Sequence, residues 1–371
     1  MGRFGKKHVI DLNPLSYSIC LAGLGGIGKT TLAKEVCEKL VGEEGYIHLN
    51  IGRESGVDSI NNIITEDVPD YFTFTEIVDD IIENKESDYP DLKVLILDSL
   101  DELLRLGEIE TIRIHNKTAE KKATSILQCM GGFGKGQDYC INMILDRIFE
   151  LKAVGVQSFI IAHTKRSDLI DAVTQETYSQ LTADAQQRYF NAIKNKMDIV
   201  AVGYIDRQIS KEKTGRKNVA TKDDITINKV VDETRIISFR DDSYSIDSKS
   251  RFADIVDKVP FDSDSFIKAI QDAIDSENKR GNISDREAKK IQAEKDKVNA
   301  EIYAENSRVA KENNINLEEN ERLADLIREK NSEASKETKA AMREFMKENG
   351  IPNLKDVTVI PTKLLEISRS Y

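Results

Sequence analysis

Gly23-Leu24-Gly25-Gly26-Ile27-Gly28-Lys29-Thr30 decides the reading of this chain. The eight residues fit the pattern GxxxxGK followed by Ser or Thr. They stand directly after an apolar run, 17–22, and directly before a segment in which Leu32, Val36 and Leu40 repeat at helical spacing. A strand, a glycine loop and a helix in that order are the context the pattern needs in order to hold phosphates. Glycines let successive backbone N–H groups turn inward around a triphosphate, and the helix start adds its positive end. Lys29 would meet the β- and γ-phosphates, and Thr30 can ligate Mg²⁺.

Working outward, short β-branched runs at 46–51, 94–98, 159–163, 198–205 and 234–239 alternate with helical patterns. Two of those patterns are Ile141, Ile144, Leu145, Ile148, Phe149 and Tyr189, Ile193, Met197. Several runs are apolar on both faces, which predicts an α/β fold with a mainly parallel sheet covered by helices. The run 94–97 ends in Asp98, at the strand edge where open α/β sheets bind ligands. Asp98 would hold Mg²⁺ through water and complete the ion with Thr30; the alternative is an Asp that caps a helix over 99–106. Glu54, just after the second strand, stands where a carboxylate could polarise an attacking water, with Glu102 or His163 as alternatives. His163-Thr164-Lys165-Arg166 supplies a polar strand tip that could sense phosphate.

With 371 residues the chain has room for about two domains and a third small module. Its net charge of −11 argues against a globally basic nucleic-acid coat but leaves local basic loops available. No apolar stretch approaches the roughly 20 residues that span a bilayer. Asp11, Asn13 and Pro14 interrupt the apolar positions of the first segment, so it does not read as a signal peptide, and the cytoplasm is the expected compartment. Cys20, Cys37, Cys129 and Cys140 fit neither zinc nor CxxC spacing and are expected to be reduced and buried. With only four His, imidazole metal catalysis has little support.

Composition changes near Pro260, giving an expected N-terminal arm over 1–15, a catalytic core over 16–259, a charged helical extension over 260–340 and a small helical module over 341–371. Ala288, Ile291, Lys295, Val298, Ile302, Glu305 and Val309 alternate by three and four, which reads either as a coiled-coil seam or as a solvated amphipathic helix or partly disordered arm. The last module rests on Met342, Phe345, Met346, the turn at 349–352, Leu364, Leu365 and Ile367.

The glycine loop with Thr31, the strand with Asp98-Ser99, the strand ending Ile161-Ala162-His163-Thr164 and the glycine-rich stretch 131–136 together resemble the RecA-like core. They are more closely similar to the short, phage-encoded RecA-like ATPases known as phage nucleotide-binding proteins, some of which are single-strand annealing proteins. The resemblance covers about 16–259; RecA itself usually carries Gln where His163 stands, and 276–371 has no counterpart. It implies ATP and Mg²⁺ as cofactors, self-association into a filament or ring, and single-stranded DNA as partner. Binding of a single-strand-binding protein or another replication protein would fall to the C-terminal region. In such assemblies a Lys-x-Arg pair near late strands reaches into the neighbouring subunit's site. By that resemblance Lys249 and Arg251 are trans-acting fingers that neutralise charge on the γ-phosphate; the alternative is two solvated residues in a turn.

DNA would be met by 131–136 with Lys135, by Lys165, Arg166, Arg188, Lys194 and Lys196, or by an exposed basic turn at 211–217. Phe133, Tyr178 or Tyr189 could stack on bases, although Tyr189 shares helical spacing with Ile193 and Met197 and reads better as core. The function expected is ATP-dependent single-stranded-DNA binding in phage recombination or annealing. A ring helicase, helicase loader or other nucleic-acid motor is one alternative, and an ATP-controlled assembly protein is another.

Overall fold

The computed structural model describes residues 9–52, 56–171, 174–217, 224–241 and 245–333, with a few more between 335 and 347. The expected module over 341–371, apart from a few of those residues, lies outside them.

Alternate residues of the central strands are buried on opposite sides of one sheet. Cys20, Ala22, Leu95, Leu97, Ile160, Ala162, Val200 and Val202 enter one apolar cluster. Ile19, Leu21, Val94, Ile96, Phe159, Ile161, Ile199 and Ala201 enter the other. The period of two along a strand, with both faces covered, makes three layers. The strands are β1 (Ile19–Gly23), β2 (Tyr46–Ile51), β3 (Thr65–Val68), β4 (Val94–Asp98), β5 (Gln157–Ile170), β6 (Thr177–Ala183), β7 (Ile199–Lys217), β8 (Asp224–Ser238), β9 (Lys249–Ser250) and β10 (Lys258–Pro260). Their order is β10-β8-β7-β1-β5-β4-β2-β3, with β6 on β5 and β9 on β7. From β7 through β3 every neighbouring pair is parallel. β8, β10, β6 and β9 are antiparallel additions.

Helices α2 (Tyr71–Glu83), α3 (Leu100–Thr118), α4 (Lys135–Ala153) and α5 (Gln187–Lys196) cover the first face through Phe74, Val78, Leu103, Ile144, Tyr189 and Ile193. Asp70 starts α2 by accepting the Thr73 N–H at 2.8 Å. On the second face lie α1 (Lys29–Val41), with Leu32 and Val36, and α6 (Ser263–Arg280), with Phe266, Ile270 and Ile274. Each such fully buried side chain contributes about 1.5–3 kcal/mol.

Two hairpins continue the sheet past its C-terminal edge. β5 runs on to pair with β6, from Thr164 opposite Ala183 to Ile170 opposite Thr177. β7 and β8 pair from Val202 opposite Ser238 out to Lys217 opposite Asp224. At strand rise, the 13 steps from Tyr204 to Lys217 reach roughly 40 Å. The stretch 211–217, expected as a turn, is therefore strand.

The boundary expected at 259/260 falls inside β10, whose Val259 and Pro260 pair with Ile237 and Ile236 of β8. Beyond it, α6 packs its apolar stripe into the second cluster. The long charged stretch is helical as expected, forming α7 (Asp285–Glu333). Polar side chains make many of its contacts with the rest of the fold, beside buried Ala288, partly buried Ala310 and the Tyr303 ring against Gly155. Lys295 pairs with Asp11 at 2.7 Å, Gln292 bonds Leu12 N–H and Asp11, and Ser307 Oγ donates to the Ile82 carbonyl at 2.6 Å. The apolar seam residues Val298, Ile302 and Val309 remain 54, 49 and 41% exposed.

Candidate active site at the C-terminal edge of the sheet

Strand register brings the sequence-predicted residues to one edge. Gly23 at the end of β1 lies beside His163 of β5 and Gly203 of β7, while Asp98 lies between Ile161 and Asn50 of β2. The loop that follows Gly23 turns through positive φ at Gly26 (74°) and Gly28 (105°), conformations that favour glycine. Ile27, 2% exposed, anchors it from inside. A Cβ on Gly25 or Gly26 would meet no atom of the described residues within 4 Å, so the loop is uncovered at these two glycines. Gly28 caps α1 without a side-chain bond, so the first N–H groups of that helix are left for an anion. Thr31 is exposed in the first turn of α1.

Lys29 is 6% exposed and its Nζ donates to the carbonyls of Gly23 and Leu24, both at 3.1 Å, spanning the loop. The Thr30 hydroxyl donates to Asp98 Oδ2 at 2.6 Å. That hydroxyl can give its proton to the carboxylate and still offer its lone pairs to a cation, so the donor set suits a hard divalent ion. Burial alone would raise the Asp98 pKa; bonds from His48 and Thr30, with the charges of His48 and Lys29, hold it below its ordinary value of 3.8. Asp98 does not cap α3: Ser99 occupies that position.

Sequence reasoning missed four neighbours. His48, inside the apolar run of β2, is fully buried and touches Asp98 and Thr65. Asp101, in the first turn of α3, accepts from both the backbone N–H and Nδ1 of His163, at 3.0 and 2.9 Å. Arg235 of β8 reaches the Ile27 carbonyl at 3.4 Å, and the Phe261 ring lies against Gly28 and Gly203. Each is a single residue in an unremarkable local context, with no pattern to mark it.

Glu54 lies outside the described residues. Glu102 is the carboxylate seen near the tip of β2: a Cβ on Gly52 would collide with it, and Arg105 holds it through Nε and Nη2, the latter at 2.7 Å. Among the described residues Asn50 Oδ1, Asp101 Oδ1 and Thr164 Oγ1 are buried without a hydrogen-bond partner. Three unmet polar atoms at one strand edge fit a site that takes a polar ligand and water.

Lys249 and Arg251 stand elsewhere. β9 pairs with Ile199 and Val200, at the N-terminal edge of the sheet, opposite the glycine loop. Lys249 Nζ donates to the Lys194 and Met197 carbonyls at the end of α5, and Arg251 pairs with Asp198 at 3.3 Å while 56% of its side chain stays exposed. The cations expected to meet DNA after His163 do not form one loop. Lys165 and Arg166 are on the β5–β6 hairpin, paired with Asp184 and Asp168. Arg188 and Lys194 are on α5, paired with Asp138 and Asp247. Tyr189 is core, its hydroxyl donating to Glu108 at 2.7 Å. Phe133 is 98% exposed at φ 54°, between glycines of positive φ.

A family profile described as an AAA domain matches residues 15–252, more than half of the chain. The chain belongs to that family, and its core is a P-loop ATPase fold of the RecA-like type. Among solved structures it is similar to a KaiC-like protein from the hyperthermophilic archaeon Pyrococcus horikoshii. Identity is 13%, over 67% of this chain and 86% of that one, with a TM-score of 0.33. No curated protein matches. Among the described residues no helix is long and apolar enough to cross a membrane.

Proposed function

We propose that this member of the AAA domain family hydrolyses ATP with Mg²⁺ at the β1 edge and couples hydrolysis to single-stranded DNA in phage recombination or annealing, working as an assembly of copies. The observation that carries the reading is the convergence of Lys29, Thr30 and Asp98 under a glycine loop uncovered at Gly25 and Gly26. Lys29 is held on two loop carbonyls that a triphosphate would replace as its partners. Mg²⁺, held by Thr30 and through water by Asp98, would neutralise phosphate charge. Backbone N–H groups at the start of α1 bind phosphate oxygens. Glu54 or Glu102 orients the attacking water, and His163, turned by Asp101, meets the terminal phosphate.

Two features support DNA as the partner. β5 runs without a break from His163 into the hairpin that carries Lys165 and Arg166, so a change at the phosphate has a rigid route outward. The Phe133 loop, followed by exposed Lys135, offers a ring for base stacking beside a cation for phosphate.

The test is ATPase activity with and without single-stranded DNA, followed by strand displacement. Stimulation without unwinding is the expected result; unwinding would make the chain a motor, and neither would make it an ATP-controlled assembly protein. Lys29→Ala should abolish turnover and greatly weaken ATP binding. Wild-type rates in that variant would refute the site.

A further inference from the structure

We infer that His48 is a positioning residue that fixes the Asp98 carboxylate for the metal-bound nucleotide, an inference that rests on the ATPase reading above. His48 is fully buried in β2, one strand over from Asp98, and both of its ring nitrogens are engaged. Nε2 lies 3.3 Å from Asp98 Oδ2 and Nδ1 lies 3.0 Å from Thr65 Oγ1. An ionised carboxylate can only accept, so Nε2–H is the donor to Asp98, and Nδ1 is hydrogen-bonded to the Thr65 hydroxyl. The ring is thereby a relay of orientation: β3 sets the imidazole, and the imidazole sets the carboxylate.

The two donors reach Asp98 Oδ2 from different elements, Thr30 from α1 and His48 from β2. With one donor the carboxylate can swing about its last bond while keeping that contact. With two on the same oxygen its plane is held, and Oδ1 is left as the oxygen for a metal-bound water. Outer partners of this kind tune metal affinity by about 10–100-fold when they are removed.

The experiment compares full-length wild type with His48→Leu, His48→Asn and His48→Gln. The Gln amide reaches about as far as Nε2 and can still donate to Asp98, whereas the Asn amide reaches only about as far as Nδ1. Two quantities are measured for each: affinity for a non-hydrolysable ATP analogue in EDTA, and affinity of the analogue complex for Mn²⁺ by electron paramagnetic resonance. His48→Leu and His48→Asn should keep analogue affinity in EDTA within about twofold, yet lose roughly tenfold or more in Mn²⁺ affinity, with His48→Gln close to wild type. A residue that only filled the core would lower the melting temperature without separating Gln from Asn in Mn²⁺ affinity. Equal Mn²⁺ affinity in the Gln and Asn variants overturns the proposal, and that pair decides the matter if His48→Leu fails to fold. Failure of the ATPase reading itself looks different: wild type would then bind no analogue, or Lys29→Ala would bind it as well as wild type.

Discussion

Phe266→Ala asks whether α6 is part of the nucleotide-binding core or an appendage to it. The ring is fully buried, with centroids 5.3 Å from Phe239 and 6.2 Å from Phe159, so it joins the helix to β5 and to the residue that follows β8. Removing a buried Phe costs about 3–5 kcal/mol, of which each aromatic pair accounts for about 0.5–1.5 kcal/mol. Against a typical total of about 5–15 kcal/mol, that is a large share.

The same helix holds α1. Ser263 Oγ donates to Glu35 Oε2 at 2.7 Å, and Lys39 donates to Ser263 Oγ at 2.9 Å. Since α1 begins at Lys29, loss of the α6 anchor should also lower affinity for an ATP analogue, by less than it lowers stability. Urea unfolding followed by circular dichroism should show a midpoint lower by about 1 M or more, taking a slope of about 3 kcal/mol per M. Val298→Ala, on the exposed face of α7, is the control and should stay within about 0.5 kcal/mol. A Phe266→Ala loss below about 1 kcal/mol, or a chain ending at residue 261 that keeps wild-type stability, would refute the reasoning and restore a domain boundary at 259/260.

Asp98→Asn should retain nucleotide binding in EDTA and lose Mg²⁺-dependent turnover, read by titrating Mg²⁺ against ATPase rate; an unchanged titration removes Asp98 from the site. Glu54→Gln and Glu102→Gln should differ, the residue that orients water losing about 100-fold or more in kcat while ATP still binds, as measured by single-turnover kinetics. Asp70 and Asp262 cap α2 and α6, and N–H bonds from Thr73 and Ser265 hold both below the ordinary 3.8. A depressed folded value gives stability that is full above 3.8 and lost as pH falls through the lower folded value, so Asp262→Asn should flatten the fall in melting temperature below about pH 4. A mixture of Lys29→Ala and Arg251→Ala proteins should recover part of the ATPase activity if sites are shared between subunits; a dead mixture of demonstrably co-assembled variants removes Arg251 from its trans role.

The parts legible in the sequence are those whose signal is local. The glycine loop, its strand and its helix lie within a few turns of one another, and Asp98 ends a run of four apolar residues, so motif and periodicity agree without tertiary information. β3 escaped because Thr65, Glu66 and Asp67 are exposed on an edge strand and show no apolar alternation. The outer halves of the hairpins escaped for a related reason: they run past the edge of the core, and their sequences show no sustained apolar alternation. For α6 the pattern was present, with Phe266, Ala269, Ile270, Ala273 and Ile274 at helical spacing, but charges between them made the average composition read as a charged extension outside the core. In α7 polar Gln292, Lys295, Asn306 and Ser307 bond to backbone and carboxylates beside buried Ala288, the Tyr303 ring and Ala310, so apolar periodicity marked only part of the packed face. His48 and Asp101 carry meaning only through what strand register sets beside them.

The two edges of the sheet constrain how copies could share a site. The glycine loop and Asp98 lie at the C-terminal ends of the parallel strands, while Arg251 lies at the N-terminal end of β7. A cation there cannot reach its own loop across the buried length of β1. It can complete a neighbour's site only if the N-terminal edge of one subunit faces the C-terminal edge of the next. Such a contact joins two different surfaces: stacked along the strands it closes into a ring or runs on as a filament, while a two-fold dimer satisfies it only by setting two copies side by side with their strands antiparallel. The hairpins β5–β6 and β7–β8 rise from the receiving edge and would flank any subunit seated there. Recovery of activity in the mixed variants would therefore report more than a shared arginine. It would set the N-terminal edge of one copy against the C-terminal edge of another, with the hairpins of the receiving copy beside the junction where nucleotide is cleaved.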